Sequence, residues 1–144
     1  MTAPPANLTV IEPGTQTTVQ DVAGRTGLWD VGVPPSGAYD ELGLALANLA
    51  VGNPDSAAGL ECVVAGPRLS VSEPRLVALA GAATAATLDG RPVRAGRALR
   101  LRPGQVLDVG PIAGPGMRGY VAVEGGLDVP RVLGSRAIDR KSVV

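Results

Sequence analysis

The chain has 144 residues and a mass of 14.5 kDa, room for one ordinary domain. Its formal net charge is +0, so nothing in the electrostatics points to nucleic acid. It has no histidine and one cysteine, Cys62, which excludes His-based acid–base chemistry, Ser-His-Asp and Cys-His pairs, His-ligated zinc and any internal disulfide.

Hydrophobic residues make up 45% and aromatics 2%, with no Phe, so the core must be built from Val, Leu, Ile and Ala. Glycine and proline together are about 23% of the chain, which favours short elements joined by turns over a helical bundle. The first residues carry no basic stretch followed by an apolar run, and no segment of about 18 apolar residues occurs. No leader, no membrane span and a cytoplasmic setting are the expectations.

Leu8–Ile11 reads as a strand closed by Pro13-Gly14, and 16–22 as a half-exposed strand. Residues 24–37 hold four glycines and two prolines without periodicity, a long loop of the kind that usually has a task. Leu42, Ala45, Leu46, Leu49 and Ala50 recur at helical spacing as one apolar stripe. Asp40 is placed to cap that helix, Gly52 to end it, and Pro54–Ala58 to start a second short helical turn.

Short strands follow at 60–65, 68–71, 76–80 and 83–88, the last entering an Asp89-Gly90 hairpin. In 98–102, Leu alternates with Arg, Leu inward. Leu107 and Val109 share a face, and 118–124 is the last strand. The spacing predicts a mostly β, barrel-like domain over 1–136 with one or two short helices, followed by a tail at 137–144.

Chemistry must come from carboxylates, hydroxyls, amides, Arg and backbone N–H groups. The densest group is Gln20, Asp21 and Arg25 with Ser36, Gly37 and Asp40. A buried Asp can act as a base, Arg25 can grip a carboxylate or phosphate, and Ser36-Gly37 can offer N–H groups to an anion. The plainer alternatives are a helix cap for Asp40 and an Asp21–Arg25 ion pair bracing the loop. Ser36 has no visible base. Residues 110–116 are glycine-rich but lack the Gly-Lys-Ser/Thr of a phosphate loop. Glu61, in an apolar strand, is expected to face solvent; facing inward it would need an Arg partner or a function. Cys62 is expected to be a buried small hydrophobe. Arg91, Arg94, Arg97, Arg100 and Arg102 read as a solvated edge. Residues 1–72 carry a net charge of about −5 and 73–144 about +5, which suggests either two solvated faces or a basic half meeting an acidic partner.

Several segments, in order, resemble the carboxyltransferase-domain family. They are Thr17-Thr18-Val19-Gln20-Asp21, Gly24-Arg25, Gly32-Val33-Pro34, Ser36-Gly37-Ala38 and Asp40; then Ala47–Asn53, Leu60-Glu61 and Gly66-Pro67; and finally Arg118–Pro130 and Val132–Arg136. That family includes the C-type subunit of 5-oxoprolinase, also called allophanate hydrolase subunit 2, and the carboxyltransferase region of urea amidolyase. The resemblance implies a cyclophilin-like β-barrel subdomain corresponding to the N-terminal half of a family member, with Ala137 where the family usually has Ser. It implies catalytic roles for Asp21 and Asp40, substrate binding by Gln20, Arg25, Ser36 and Gly37, and no metal.

The activity it implies is ATP-dependent opening of 5-oxoproline to glutamate with A- and B-type partner subunits. The isolated chain is expected to be inactive, because family sites lie between subdomains and subunits. The alternatives are a biotin-dependent urea-type carboxyltransferase and a regulatory module that binds a histidine-kinase inhibitor. Lys141 is the only lysine and no Met-Lys-Met stretch occurs, so a biotin carrier would be a separate protein.

Overall fold

A computed structural model describes residues 6–139. Within them run β1 (Leu8–Glu12), β2 (Gln16–Gln20), a 3-10 turn (Trp29–Val31), α1 (Glu41–Ala50), β3 (Gly59–Val63), β4 (Arg68–Val71), β5 (Arg75–Gly81), β6 (Thr87–Leu88), β7 (Arg91–Pro92), β8 (Leu99–Leu101), β9 (Leu107–Asp108) and β10 (Arg118–Val123). Two antiparallel five-stranded sheets form, in the orders β1-β4-β9-β6-β7 and β2-β3-β10-β5-β8. The mostly β body expected from the sequence is present, with one α-helix. Pro54–Ala58 forms a turn closed by Ala57 N–H on the Pro54 carbonyl at 3.1 Å, and the second helical turn is absent. The tail expected at 137–144 lies partly outside the described residues. No helix among the described residues is long and apolar enough to cross a membrane.

Alternation along β5 and β10 divides the interior in two. Val77, Leu79 and Val121 point between the sheets and pack with Leu60, Leu69, Leu101 and Leu107. Ala78, Tyr120 and Ala122 point the other way and are covered by Leu44, Ala47 and Val51 of the helix and its end. Two alanines on this face leave room for a backbone to come close. Gly43 uses that room: a Cβ there would lie 2.9 Å from the Tyr120 ring and 2.6 Å from the Asp40 carboxylate.

The helix has the ends its sequence predicts. Asp40 accepts from Gly43 N–H at 2.9 Å. At the other end Gly52, at φ 78°, allows a paired closure in which Gly52 N–H meets the Leu49 carbonyl at 3.1 Å and Asn53 N–H meets that of Asn48 at 2.9 Å.

Its buried face is a correction. Gly43, Leu44, Ala47 and Asn48 are buried, whereas Leu42 and Leu49, from the leucine-rich stripe, are 67% and 71% exposed. The reason is contact distance and satisfied polarity. Asn48 turns inward because its Nδ2 donates to the Ala57 carbonyl at 2.9 Å and its Oδ1 accepts from Asn53 Nδ2 at 3.1 Å. Counting leucines cannot see a face made of Gly, Ala and a bonded Asn.

The local turn signals fared better. Asp89 and Gly90 have φ 48° and 81°, as a two-residue hairpin turn between β6 and β7 requires. Leu101 is buried and Arg100 exposed in β8, and all five arginines from Arg91 to Arg102 are exposed.

Leu44→Ala is expected to cost about 2–5 kcal/mol, and Leu49→Ala no more than about 0.5 kcal/mol, in urea-induced unfolding. Equal costs would mean that the helix presents its other face.

Candidate functional site

Two polar clusters flank the first residues of the helix. The first contains most of the predicted site residues. Just past β2, the Asp21 carboxylate accepts from Gly24 N–H at 2.8 Å, from Ser135 Oγ at 2.9 and 2.8 Å, and from Arg136 N–H at 2.8 Å. Arg25 is buried; its Nε donates to the Val132 carbonyl at 2.9 Å and its Nη2 to that of Ala137. Gln20 Nε2 donates to the Ile138 carbonyl at 3.0 Å, while its Oε1 is buried without a hydrogen-bond partner.

Asp21 and Arg25 form no ion pair with each other among the described residues, which corrects the expected brace. The carboxylate collects donors and the guanidinium collects carbonyls from the same stretch, 132–138. A proton-accepting role at Asp21 would require one of these four bonds to open.

Residues 35–38 are stitched onto this cluster. Arg25 N–H donates to the Pro35 carbonyl, and Ala38 N–H to that of Asp21 at 2.9 Å. Gly37, at φ 92°, lies so close that a Cβ would be 3.2 Å from the Asp21 carbonyl. Ser36 is held at φ 55°, left-handed for a residue with a side chain, and its Oγ is buried without a partner. A groove of about 550 Å³, lined by Val19, Val33, Val132, Leu133 and Ile138 with Arg25, runs beside the clasp.

Asp40 belongs to the second cluster, whose centre was misread from the sequence. Glu61 does not face solvent; it is 7% exposed. The register of β3 against β10 sets Glu61 directly opposite Tyr120, so both side chains leave the same sheet face. Tyr120 Oη donates to Glu61 Oε2 at 2.7 Å, and Tyr39 N–H donates to the same oxygen at 2.9 Å. Asp40 N–H in turn donates to Tyr120 Oη at 2.8 Å. Arg118, two residues from Tyr120, brings Nε to 3.3 Å from Glu61 Oε1, close enough for charge attraction though misaligned for a hydrogen bond. The Arg118 guanidinium lies over the Tyr39 ring, 4.6 Å from its centre.

The signal for this cluster was Arg118-x-Tyr120 facing a lone Glu in an apolar strand, and it becomes readable only once the register is known. Burial pushes the Tyr120 phenol well above the usual tyrosine range, with Glu61 adding to the shift and the Asp40 amide opposing it. Burial likewise raises the Cys62 thiol, which suits an inert core residue. Beside Arg118 opens a cleft of about 530 Å³, walled by Tyr39, Asp40, Leu42, Leu46 and Met117. Among the described residues no three acidic or cysteine side chains gather as a metal site.

Comparison with known proteins adds a frame to this geometry. Residues 31–144 match the family model described as carboxyltransferase domain, subdomain A and B. The chain is 40% identical over 136 residues to the C-type subunit of 5-oxoprolinase from Escherichia coli, covering 93% of this chain and 43% of that one. It is 38% identical over 133 residues to urea amidolyase of Lachancea kluyveri, covering 92% of this chain and only 7% of that one. The crystal structure of K. lactis urea amidolyase superposes with a TM-score of 0.87 at 38% identity, over 90% of this chain and 8% of that one. This chain therefore spans less than half the length of these relatives.

Two outcomes follow from the clusters. Asp21→Ala should cost about 1–3 kcal/mol and speed hydrogen exchange at the Arg136 amide, while Asp21→Asn restores part of both. Unchanged exchange at Arg136 would contradict the clasp. For Tyr120, the unfolded phenol releases its proton near about pH 10 while the folded phenol keeps it. Its contribution to stability is whole below that pH and declines as pH rises toward the higher folded value. Urea unfolding between about pH 8 and 11 should show a steeper alkaline loss for the parent chain than for Tyr120→Phe.

Proposed function

The chain belongs to the carboxyltransferase-domain family (subdomains A and B), and from that membership we propose that it is part of an ATP-dependent 5-oxoprolinase. In this reading it acts within a C-type subunit, beside A- and B-type partners, in opening the 5-oxoproline lactam to glutamate. One observation carries the choice. The likeness to the C-type 5-oxoprolinase subunit runs over nearly the whole chain and takes up a far larger share of that relative than of the urea amidolyases.

ATP does not fit the residues present. In the glycine-rich segment at 110–116 two backbone donors are already engaged within the fold, Ile112 N–H on the Val64 carbonyl at 2.8 Å and Ala113 N–H on that of Ala83 at 2.9 Å. No lysine lies among the described residues. We assign ATP to the partner subunits, and the contribution of this chain to the amide-binding side of the reaction. The need for ATP makes the cytoplasm the compartment of choice.

A second reading, a biotin-dependent urea carboxylase component, draws on the structural likeness to K. lactis urea amidolyase. The test is glutamate release from 5-oxoproline by the full protein that contains this chain, mixed with its A- and B-type partners. Release that needs ATP and all the components is the expected result. Transfer of carboxyl from carboxybiotin to urea, with no glutamate formed, would overturn it in favour of the second reading.

A further inference from the structure

We propose that the cleft between the start of α1 and the loop entering β10 binds a small neutral amide. Its carbonyl oxygen would face the Arg118 guanidinium and its N–H the Asp40 carboxylate. The inference deepens the function proposed above and rests on it for the choice of a lactam as probe.

Arg118 provides the first half. Its side chain is 24% exposed, and its head is held in place by the Tyr39 ring beneath it and by Glu61 at Nε. A guanidinium carries five N–H donors, and burying donors without partners is costly. Among the described residues the terminal nitrogens of Arg118 donate no hydrogen bond, and Nε itself is buried without one. The group is partly buried, positioned by Glu61 and Tyr39, and its terminal nitrogens are still able to donate into the cleft.

Asp40 provides the second half. Oδ1 is used by the Gly43 amide, and Oδ2 accepts nothing among the described residues. The Asp40 backbone is itself pinned by Tyr120 Oη, so the carboxylate has a fixed base. Donor and acceptor thus line one cleft, built on one network.

Charge decides the ligand class. The two charged groups lining the cleft, Arg118 and Asp40, are opposite in sign, and Glu61, buried behind Arg118, adds a further negative charge, so the local sum is about −1. A free anion would meet net repulsion, and a cation would meet Arg118. A neutral group with an acceptor beside a donor satisfies both residues, and an amide is the simplest such group. Leu42, Leu46 and Met117, all exposed, give the walls an apolar surface for the body of the ligand. Gly81, at φ 80°, also lines the cleft and packs close to the network: a Cβ there would lie 2.8 Å from the Tyr120 ring. A lactam that also carries a carboxylate fits with that carboxylate turned to the solvent side.

The experiment titrates 2-pyrrolidinone into the ¹⁵N-labelled chain and follows backbone amide shifts, with acetate as the anionic probe. Saturable shifts at Asp40, Gly81 and Met117 with 2-pyrrolidinone, and none with acetate, are expected. Asp40→Asn retains a competent helix cap, so it should fold, yet weaken binding by about 10-fold or more. Met117→Trp, which fills the cleft without touching the polar network, should abolish the shifts. Shifts confined to 132–138, saturation by acetate alone, or undiminished binding by Asp40→Asn would each overturn the site. In the assembled complex, glutamate release unaffected by Asp40→Asn would remove the site and leave the proposed function. Binding at the cleft without any glutamate release would do the reverse.

Discussion

The buried carboxylate of Glu61 is the constraint on which the rest of this architecture turns. A lone carboxylate at 7% exposure would be untenable, and it is tolerated because three groups converge on it: the Tyr120 phenol, the Tyr39 amide and the Arg118 guanidinium. Removing one partner of such a set leaves an uncompensated charge, which costs about 3–5 kcal/mol. The set also does geometric work. Through Tyr39 N–H directly, and through Asp40 N–H by way of Tyr120, Glu61 fixes the two residues before the helix begins. The starting point of α1 in turn decides which of its faces meets Ala78 and Ala122. The outward turn of Leu42 and Leu46 is therefore a distant consequence of a carboxylate on β3.

The second cluster solves a different problem. Residues 21–40 cross the molecule with only one short 3-10 turn, so their backbone groups need partners that no sheet supplies. Asp21 and Arg25 meet that need on both sides. One gathers N–H and O–H donors, the other gathers carbonyls, and both draw in 132–138, which also lacks regular structure beyond a single bridge. Two irregular segments far apart in sequence brace each other. A polar, glycine-laced stretch in sequence thus has two demands on its side chains, self-support and ligand contact. In the first cluster self-support occupies Asp21 and Arg25, whereas Ser36 Oγ and Gln20 Oε1 are left over.

What the sequence made legible was local. Asp89-Gly90, the Leu-Arg alternation of 98–102, Asp40 as a cap and Gly52 as a stop each depend on the chemistry of a few neighbouring residues, and each is where it was expected. The errors share a cause. The inward face of α1 depends on how closely Gly43 lets the backbone approach Tyr120, and on Asn53 waiting for Asn48. Glu61 depends on which residue of β10 stands opposite it, since a shift of one residue would send it to the other side of the sheet. The predicted loop residues were gathered largely as expected, but their partners came from 132–138, more than 100 residues away. Pattern rules have no term for such pairings.

The charge asymmetry between the two halves of the sequence illustrates the same limit. In space the halves do not separate. β4 of the acidic half pairs with β9 of the basic half, and β3 pairs with β10. Arg68 of the first half is shared between Glu12 of its own half, at 3.1 Å, and Asp108 of the other, at 3.7 Å. Arg118 of the basic half neutralises Glu61 of the acidic one. Interleaving cancels much of the asymmetry inside the body and leaves the exposed arginines from Arg91 to Arg102 as a positive rim around β7 and β8. A partner that reads charge on this protein would therefore meet a localised rim rather than a basic half.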